Sequence, residues 1–87
     1  MAGMRLVFAE QAWEDYLYWQ KEDPQKTEKI NALLKDIRRD PFKGLGKPEP
    51  LKGSLSGYWS GRINEEHRVV YKMSGEDLFI AQLRYHY

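Results

Sequence analysis

The chain has 87 residues, 41% of them hydrophobic and 31% charged, with no cysteine and a formal net charge of +1. This length suits one domain, residues 1–87, with a modest core, and the composition is that of a soluble globular protein rather than a disordered or fibrous one. The absence of cysteine excludes a disulfide framework and thiolate metal sites and fits a reducing cytoplasm. The apolar run Leu6-Val7-Phe8-Ala9 is too short for a signal sequence and no later stretch reaches membrane-spanning length, so no membrane association is expected. Met1–Gly3 are expected to be extra, disordered N-terminal residues.

Arg5 to Phe8 reads as a short strand. Over residues 10 to about 22, Trp13, Tyr16, Leu17 and Gln20 fall at i, i+3, i+4, i+7, one face of a helix with a weak N-cap at Ala9. Asp23-Pro24 is a strong start signal for a second helix, with Asp as N-cap and Pro at the first helical position. Ile30, Leu33, Leu34 and Ile37 give that helix its apolar stripe, and Asp40-Pro41 ends it. From Pro41 to Gly57 the breakers Pro41, Gly44, Gly46, Pro48, Pro50, Gly53 and Gly57 permit neither a helix nor a long strand. A loop of that length in a compact domain is usually functional or disordered.

Three strands follow, Tyr58 to Ile63, His67 to Met73 and Asp77 to Tyr85, joined by turns at Asn64-Glu65-Glu66 and Ser74-Gly75-Glu76. Alternation sets Val69 and Tyr71 against Arg68, Val70 and Lys72, and in the last strand sets Phe79, Ala81, Leu83 and Tyr85 against Leu78, Ile80, Gln82, Arg84 and His86. The expected fold is α+β: an N-terminal strand, a two-helix hairpin and an antiparallel meander of three strands, with both helices on one face of the sheet.

Charge is distributed unevenly. Residues 1–40 carry seven Lys/Arg against eight Asp/Glu, whereas residues 41–87 carry seven against five. A polyanion should therefore bind the C-terminal half. Phosphate-cradling, dinucleotide-binding, nucleophile-elbow and paired-His metal motifs are all absent. With only His67 and His86 and no cysteine, zinc is not expected, and no cofactor is implied.

What remains is a scatter of Glu, Arg, His and Tyr. Such a set matches the needs of RNA cleavage through the 2′-hydroxyl: a base, a cation for the phosphorane and an acid for the leaving oxygen. Each residue also has a plain reading. Glu49, between Pro48 and Pro50, is either a solvated loop carboxylate or a rigidly positioned base. Arg62 and Arg68 on adjacent strands are either a solvating pair or a phosphate clamp. His86 and Tyr87 are either a frayed tail or, being continuous with a strand, a placed pair. Lys47 and Lys52 either keep the loop soluble or track an RNA backbone. His67 reads as a locally hydrogen-bonded hairpin residue, and Trp13, Tyr16, Tyr18, Trp19 and Trp59 as core or interface aromatics.

Several longer stretches narrow these alternatives: Trp13-Glu-Asp-Tyr-Leu-Tyr-Trp-Gln20, Lys47-Pro-Glu-Pro-Leu-Lys52, Leu55-Ser-Gly-Tyr-Trp-Ser60, Arg62-Ile63, Glu65-Glu-His-Arg68 and Arg84-Tyr-His-Tyr87. In this order they resemble the YoeB toxins, of the Txe/YoeB branch of the RelE superfamily, from Met4 to Tyr87.

The resemblance implies a toxin of a type II toxin-antitoxin pair that cuts mRNA in the ribosomal A site without metal, leaving a 2′,3′-cyclic phosphate and a 5′-hydroxyl. It implies Glu49 as general base, His86 as general acid, Arg68 at the scissile phosphate and Tyr87 as an orienting residue, with Lys47, Lys52, Arg62 and Arg84 on RNA. The implied partners are a YefM-type antitoxin with an acidic, disordered C-terminal segment, the ribosome with its 16S rRNA and A-site mRNA, operator DNA through the antitoxin complex, and a second copy of the chain. Gly61 stands where the family commonly has an arginine, so one RNA contact is expected to be weaker. The competing readings are a ParE-like toxin of the same fold that binds gyrase and cuts no RNA, and a non-catalytic RNA-binding module.

Overall fold

In the computed structural model, which describes residues 4–85, the elements run β1 (Arg5–Phe8), α1 (Glu10–Glu22), α2 (Pro24–Arg39), β2 (Glu49–Pro50), β3 (Trp59–Arg62), β4 (Arg68–Ser74) and β5 (Asp77–Gln82). Met1–Gly3, His86 and Tyr87 lie outside the described residues, so the expectation of a disordered leader and the two C-terminal site assignments fall there. Asp23 caps α2 through its side chain, which accepts from the Lys26 amide, and Pro24 occupies the first turn. The missing side-chain acceptor at Ala9 leaves α1 without an equivalent cap.

The strands form one sheet in the order β1-β5-β4-β3-β2. Consecutive strands from β2 to β5 pair antiparallel, as the short turns between β3, β4 and β5 require, while β1 runs parallel to β5, making the sheet mixed. Both helices lie on one face. Ile30, Leu33, Leu34 and Ile37 of α2 and Ala12 and Trp19 of α1 pack there with Ile63, Val69, Tyr71, Leu78, Ile80 and Leu83.

Two expectations are corrected. The stripe Trp13, Leu17 and Gln20 is not the buried face of α1: Trp13 is 48% exposed and Leu17 39%, while Ala12, Asp15 and Trp19 are buried. The true inner face includes a carboxylate, which a count of apolar positions passes over. In β5, simple alternation would place Leu83 opposite Leu78 and Ile80, yet all three are in the core. Tyr71 pairs with Ile80 but Val70 pairs with Gln82, so Ala81 is an extra residue in a bulge that reverses the facing of everything after it. The strand also ends at Gln82 rather than Tyr85.

The segment from Pro41 to Gly57 is pinned, not free. The Leu45 amide donates to Asp36 Oδ2 (2.9 Å) and the Arg62 amide to the Gly46 carbonyl (2.8 Å). Gly46 permits the close approach, since a Cβ would stand a tight 3.3 Å from the Arg62 nitrogen and from Gly61 Cα. Phe42 lies against Trp59 with ring centroids 4.9 Å apart. Held in this way, the loop yields a two-residue strand, β2, and a single 3-10 turn at Gly53–Leu55, each including one of the breakers, Pro50 and Gly53.

Tyr71 ties the loop to the sheet: its hydroxyl donates to the Pro41 carbonyl at 2.6 Å. Burial, with Asp36 and Asp40 adding to it, pushes this phenol well above its ordinary value of 10.0. Because the folded state keeps the proton that the unfolded chain releases, stability is intact below about pH 10 and falls as pH rises beyond it. Tyr71→Phe should cost about 1 kcal/mol at neutral pH and flatten the alkaline decline, as measured by urea unfolding between pH 7 and about pH 11.

Candidate active site on the open face of the sheet

Since alternate residues of each strand point to opposite faces, the register identifies what faces away from the helices. Val69 and Tyr71 are in the core, so Arg68, Val70 and Lys72 face outward. Ser60 lies opposite Val70, Arg62 opposite Arg68, and Glu49 opposite Ser60. The sheet thereby gathers Glu49, Arg62 and Arg68, from a loop strand and two hairpin strands, on one surface. Glu49 reaches it because β2 pairs with β3, and Pro48 and Pro50 restrict the backbone on either side of it.

Glu49 Oε1 and Arg68 Nη1 are 4.0 Å apart, with the carboxylate 68% exposed and the guanidinium 13% exposed. At this distance and exposure the pair adds little to stability. Its chemistry is more telling. Arg62 and Arg68 are direct cross-strand partners, an arrangement of like charges that is unfavourable by itself. Arg68 Nε and Ser60 Oγ are buried with no hydrogen-bond partner among the described residues. Buried donors left unmatched cost free energy, and the two facing guanidinium groups suit an anion with several acceptor oxygens.

The remaining candidates divide. Lys47 and Lys52 are exposed on the segments flanking Glu49, Lys47 in a left-handed conformation with φ 49°. Arg84 is engaged elsewhere: its guanidinium lies 3.5 Å from the Tyr18 ring centroid on α1, and Nη2 donates to Tyr85 Oη at 2.7 Å. Gly61 faces the core opposite Val69, where a Cβ would come within 3.1 Å of Val69 Cγ1. A side chain at 61 would start on the helix side.

Among the described residues no three His, Asp or Glu side chains converge as around a metal ion. Two hollows of about 520 and 480 Å³ lie along α2 and are lined by residues such as Lys35, Arg38, Leu45 and Trp13, away from Glu49 and Arg68.

A family model described as the YoeB-like toxin of bacterial type II toxin-antitoxin system matches residues 8–87. The chain belongs to the YoeB toxin family. Toxin YoeB of Escherichia coli K12 is 58% identical over 84 residues, 97% of this chain and all of that protein. Among solved structures, the YoeB/ParE toxin from Agrobacterium tumefaciens superposes with a TM-score of 0.92 at 52% identity, covering 97% of this chain and 100% of its own. The YoeB dimer from Staphylococcus aureus gives 0.91 at 48%, and the YoeB-YefM complex from the same organism 0.88 at 47%, each covering 99% of this chain and 100% of the other. The fold read from the sequence is therefore that of the YoeB toxins, and the protein is the toxin component of a type II toxin-antitoxin system.

Sequence reasoning passed over three residues that reach the end of β5. Asp15 Oδ2 accepts from the Leu83 amide, Trp19 Nε1 donates to the Leu83 carbonyl, and His67 Nδ1 accepts from the Tyr85 amide at 2.7 Å. His67 is thus more than a local hairpin residue. No local sequence pattern marked them, since Asp15 lies off the face formed by Trp13, Tyr16, Leu17 and Gln20.

The facing arginines make a simple test. Arg62→Thr should leave the fold intact and raise stability by about 0.2–1 kcal/mol at low salt, with the gain shrinking as ionic strength rises. Thermal unfolding at two salt concentrations reads both effects.

Proposed function

We propose that this YoeB-family toxin is an mRNA endoribonuclease acting in the ribosomal A site, with the open sheet face as its working surface. The observation that carries this reading is the pairing of an exposed carboxylate, Glu49, with the largely buried side chain of Arg68, 4.0 Å away and facing Arg62. Glu49 takes the proton of the RNA 2′-hydroxyl. The 2′-oxygen attacks the adjacent phosphorus, Arg68 stabilises the charge gathering on the phosphoryl oxygens, and His86 donates a proton to the departing 5′-oxygen. The products are a 2′,3′-cyclic phosphate and a 5′-hydroxyl, and no step requires a metal. Tyr87 orients the phosphate or a neighbouring base, and Arg62, Lys47 and Lys52 hold the RNA backbone. Arg84, stacked on Tyr18, contributes charge from beside the C-terminal tail.

Connectivity supports the role of His86. The Arg68 amide donates to the Tyr85 carbonyl at 3.1 Å, so the chain leaves the described residues next to the arginine it is to serve.

The same reading gives the chain its partners. A relative solved as a YoeB-YefM complex supports a YefM-type antitoxin, with an acidic segment that orders on binding and, in the complex, operator DNA. A relative solved as a dimer supports a homodimer. The ribosome, its 16S rRNA and the A-site mRNA complete the set, and the compartment is the cytoplasm. No helix among the described residues is long and apolar enough to cross a membrane.

Purified protein added to programmed ribosomes should cut mRNA at the A-site codon, leaving the ends named above. Glu49→Ala and His86→Ala should each remain folded and slow cutting by about 10²- to 10⁴-fold. Cutting by both variants at the unchanged rate would overturn the assigned roles. Growth arrest unaffected by either would favour a gyrase-directed toxin instead.

A further inference from the structure

The backbone after Gln82 has left the strand ladder, and its polar groups must find partners elsewhere. They find them on α1 and on the β3–β4 turn. Asp15 Oδ2 accepts from the Leu83 amide and Trp19 Nε1 donates to the Leu83 carbonyl, both at 2.9 Å, so two side chains one helical turn apart grip the two polar groups of a single residue. His67 Nδ1 accepts from the Tyr85 amide at 2.7 Å, and the Arg68 amide donates to the Tyr85 carbonyl. Trp19 and His67 meet edge to face, 4.9 Å between ring centroids, joining the two grips into one unit.

Two features are costly for a merely structural chain end. Asp15 is only 2% exposed, and its carboxylate is held there by the Leu83 amide and Gln11 Nε2, where an apolar side chain would cost less to bury. Tyr85 has φ 68°, a left-handed backbone that a bulky residue adopts only when its surroundings enforce it. Strain retained in this way tends to sit at working sites. It falls here on the residue immediately before His86.

We propose that Asp15, Trp19 and His67 are positioning residues that clamp the chain at Leu83 and Tyr85, and that the acid step read for His86 depends on this clamp. This rests on the reading of His86 as the acid. Accepting a hydrogen bond at Nδ1 requires the His67 imidazole to be neutral with its proton on Nε2, which stands 3.6 Å from Glu66 Oε1. The Nδ1 of the histidine beside Arg68 is thus taken up by the tail backbone.

The test exploits the acid step. On programmed ribosomes carrying ordinary mRNA, His67→Phe keeps a ring against Trp19 but removes the acceptor. It should slow single-turnover cutting by about 10²-fold with little change in the protein concentration giving half-maximal rate. Asp15→Ala should do the same, and Asp15→Asn, which retains a carbonyl acceptor, should recover most of the rate. With mRNA whose leaving 5′-oxygen is replaced by a bridging sulfur, departure needs no proton, and His67→Phe should cut as fast as the unchanged protein. In parallel, the Tyr85 amide should be protected from hydrogen exchange in the free protein and lose protection in His67→Phe. Equal slowing on both mRNAs, or undiminished Tyr85 protection in His67→Phe, would overturn the clamp. Failure of the unchanged protein to cut either mRNA would overturn the reading of the site itself, and Tyr85 exchange would then show separately whether the tail is held.

Discussion

Helices α1 and α2 cover a single face of the sheet, and that one-sidedness governs the other face. With the main apolar cluster on the helix side, the outward positions of β2, β3 and β4 hold a carboxylate and two facing arginines beside the buried Ser60 and Val70. A sheet covered on both sides would have to neutralise or remove these charges. The charges gathered there, Arg62 and Arg68 beside Glu49, suit a phosphate polymer. A candidate site of this kind sits on strands rather than loops, except for Glu49, and Glu49 is brought to the same standard of rigidity by pairing with β3 and by its two flanking prolines.

Stability is given up for that arrangement. The register places Arg62 against Arg68, Arg68 Nε and Ser60 Oγ lack partners among the described residues, and Asp15 is buried in a helix. The apolar stripe of α2, the Tyr71 hydroxyl held by Pro41 and the buried face of β5 offset these costs. The least stable groupings thus sit where an anion or a catalytic tail would use them, which is the usual place for a fold to store unfavourable contacts.

The sequence made α2 plain from end to end, because Asp23-Pro24 and Asp40-Pro41 are chemical stop signals and four apolar residues mark its face. The α+β layout was equally legible from strand alternation and turn residues. Other features depend on contacts that no local pattern carries. The inner face of α1 turns on Asp15, whose burial makes sense only once Leu83 is seen beside it. The bulge at Ala81 reverses the parity of β5 and shows only in its pairing with β4. Parallel pairing of β1 with β5 joins chain segments some seventy residues apart. For the site, Glu49 and Arg68 stood out one at a time by residue type and by the family resemblance, but their shared face follows from strand register. The tail contacts of Asp15, Trp19 and His67 belong to tertiary structure alone.

The most direct test of the open face as the working surface is a cryo-electron microscopy structure of the Glu49→Gln protein bound to a ribosome with uncut mRNA in the A site. The scissile phosphate should lie between residue 49 and Arg68, with Arg62 on the RNA backbone and the helices turned away from the message. Message lying along α1 or α2, or an A site in which the open face contacts no RNA, would contradict it.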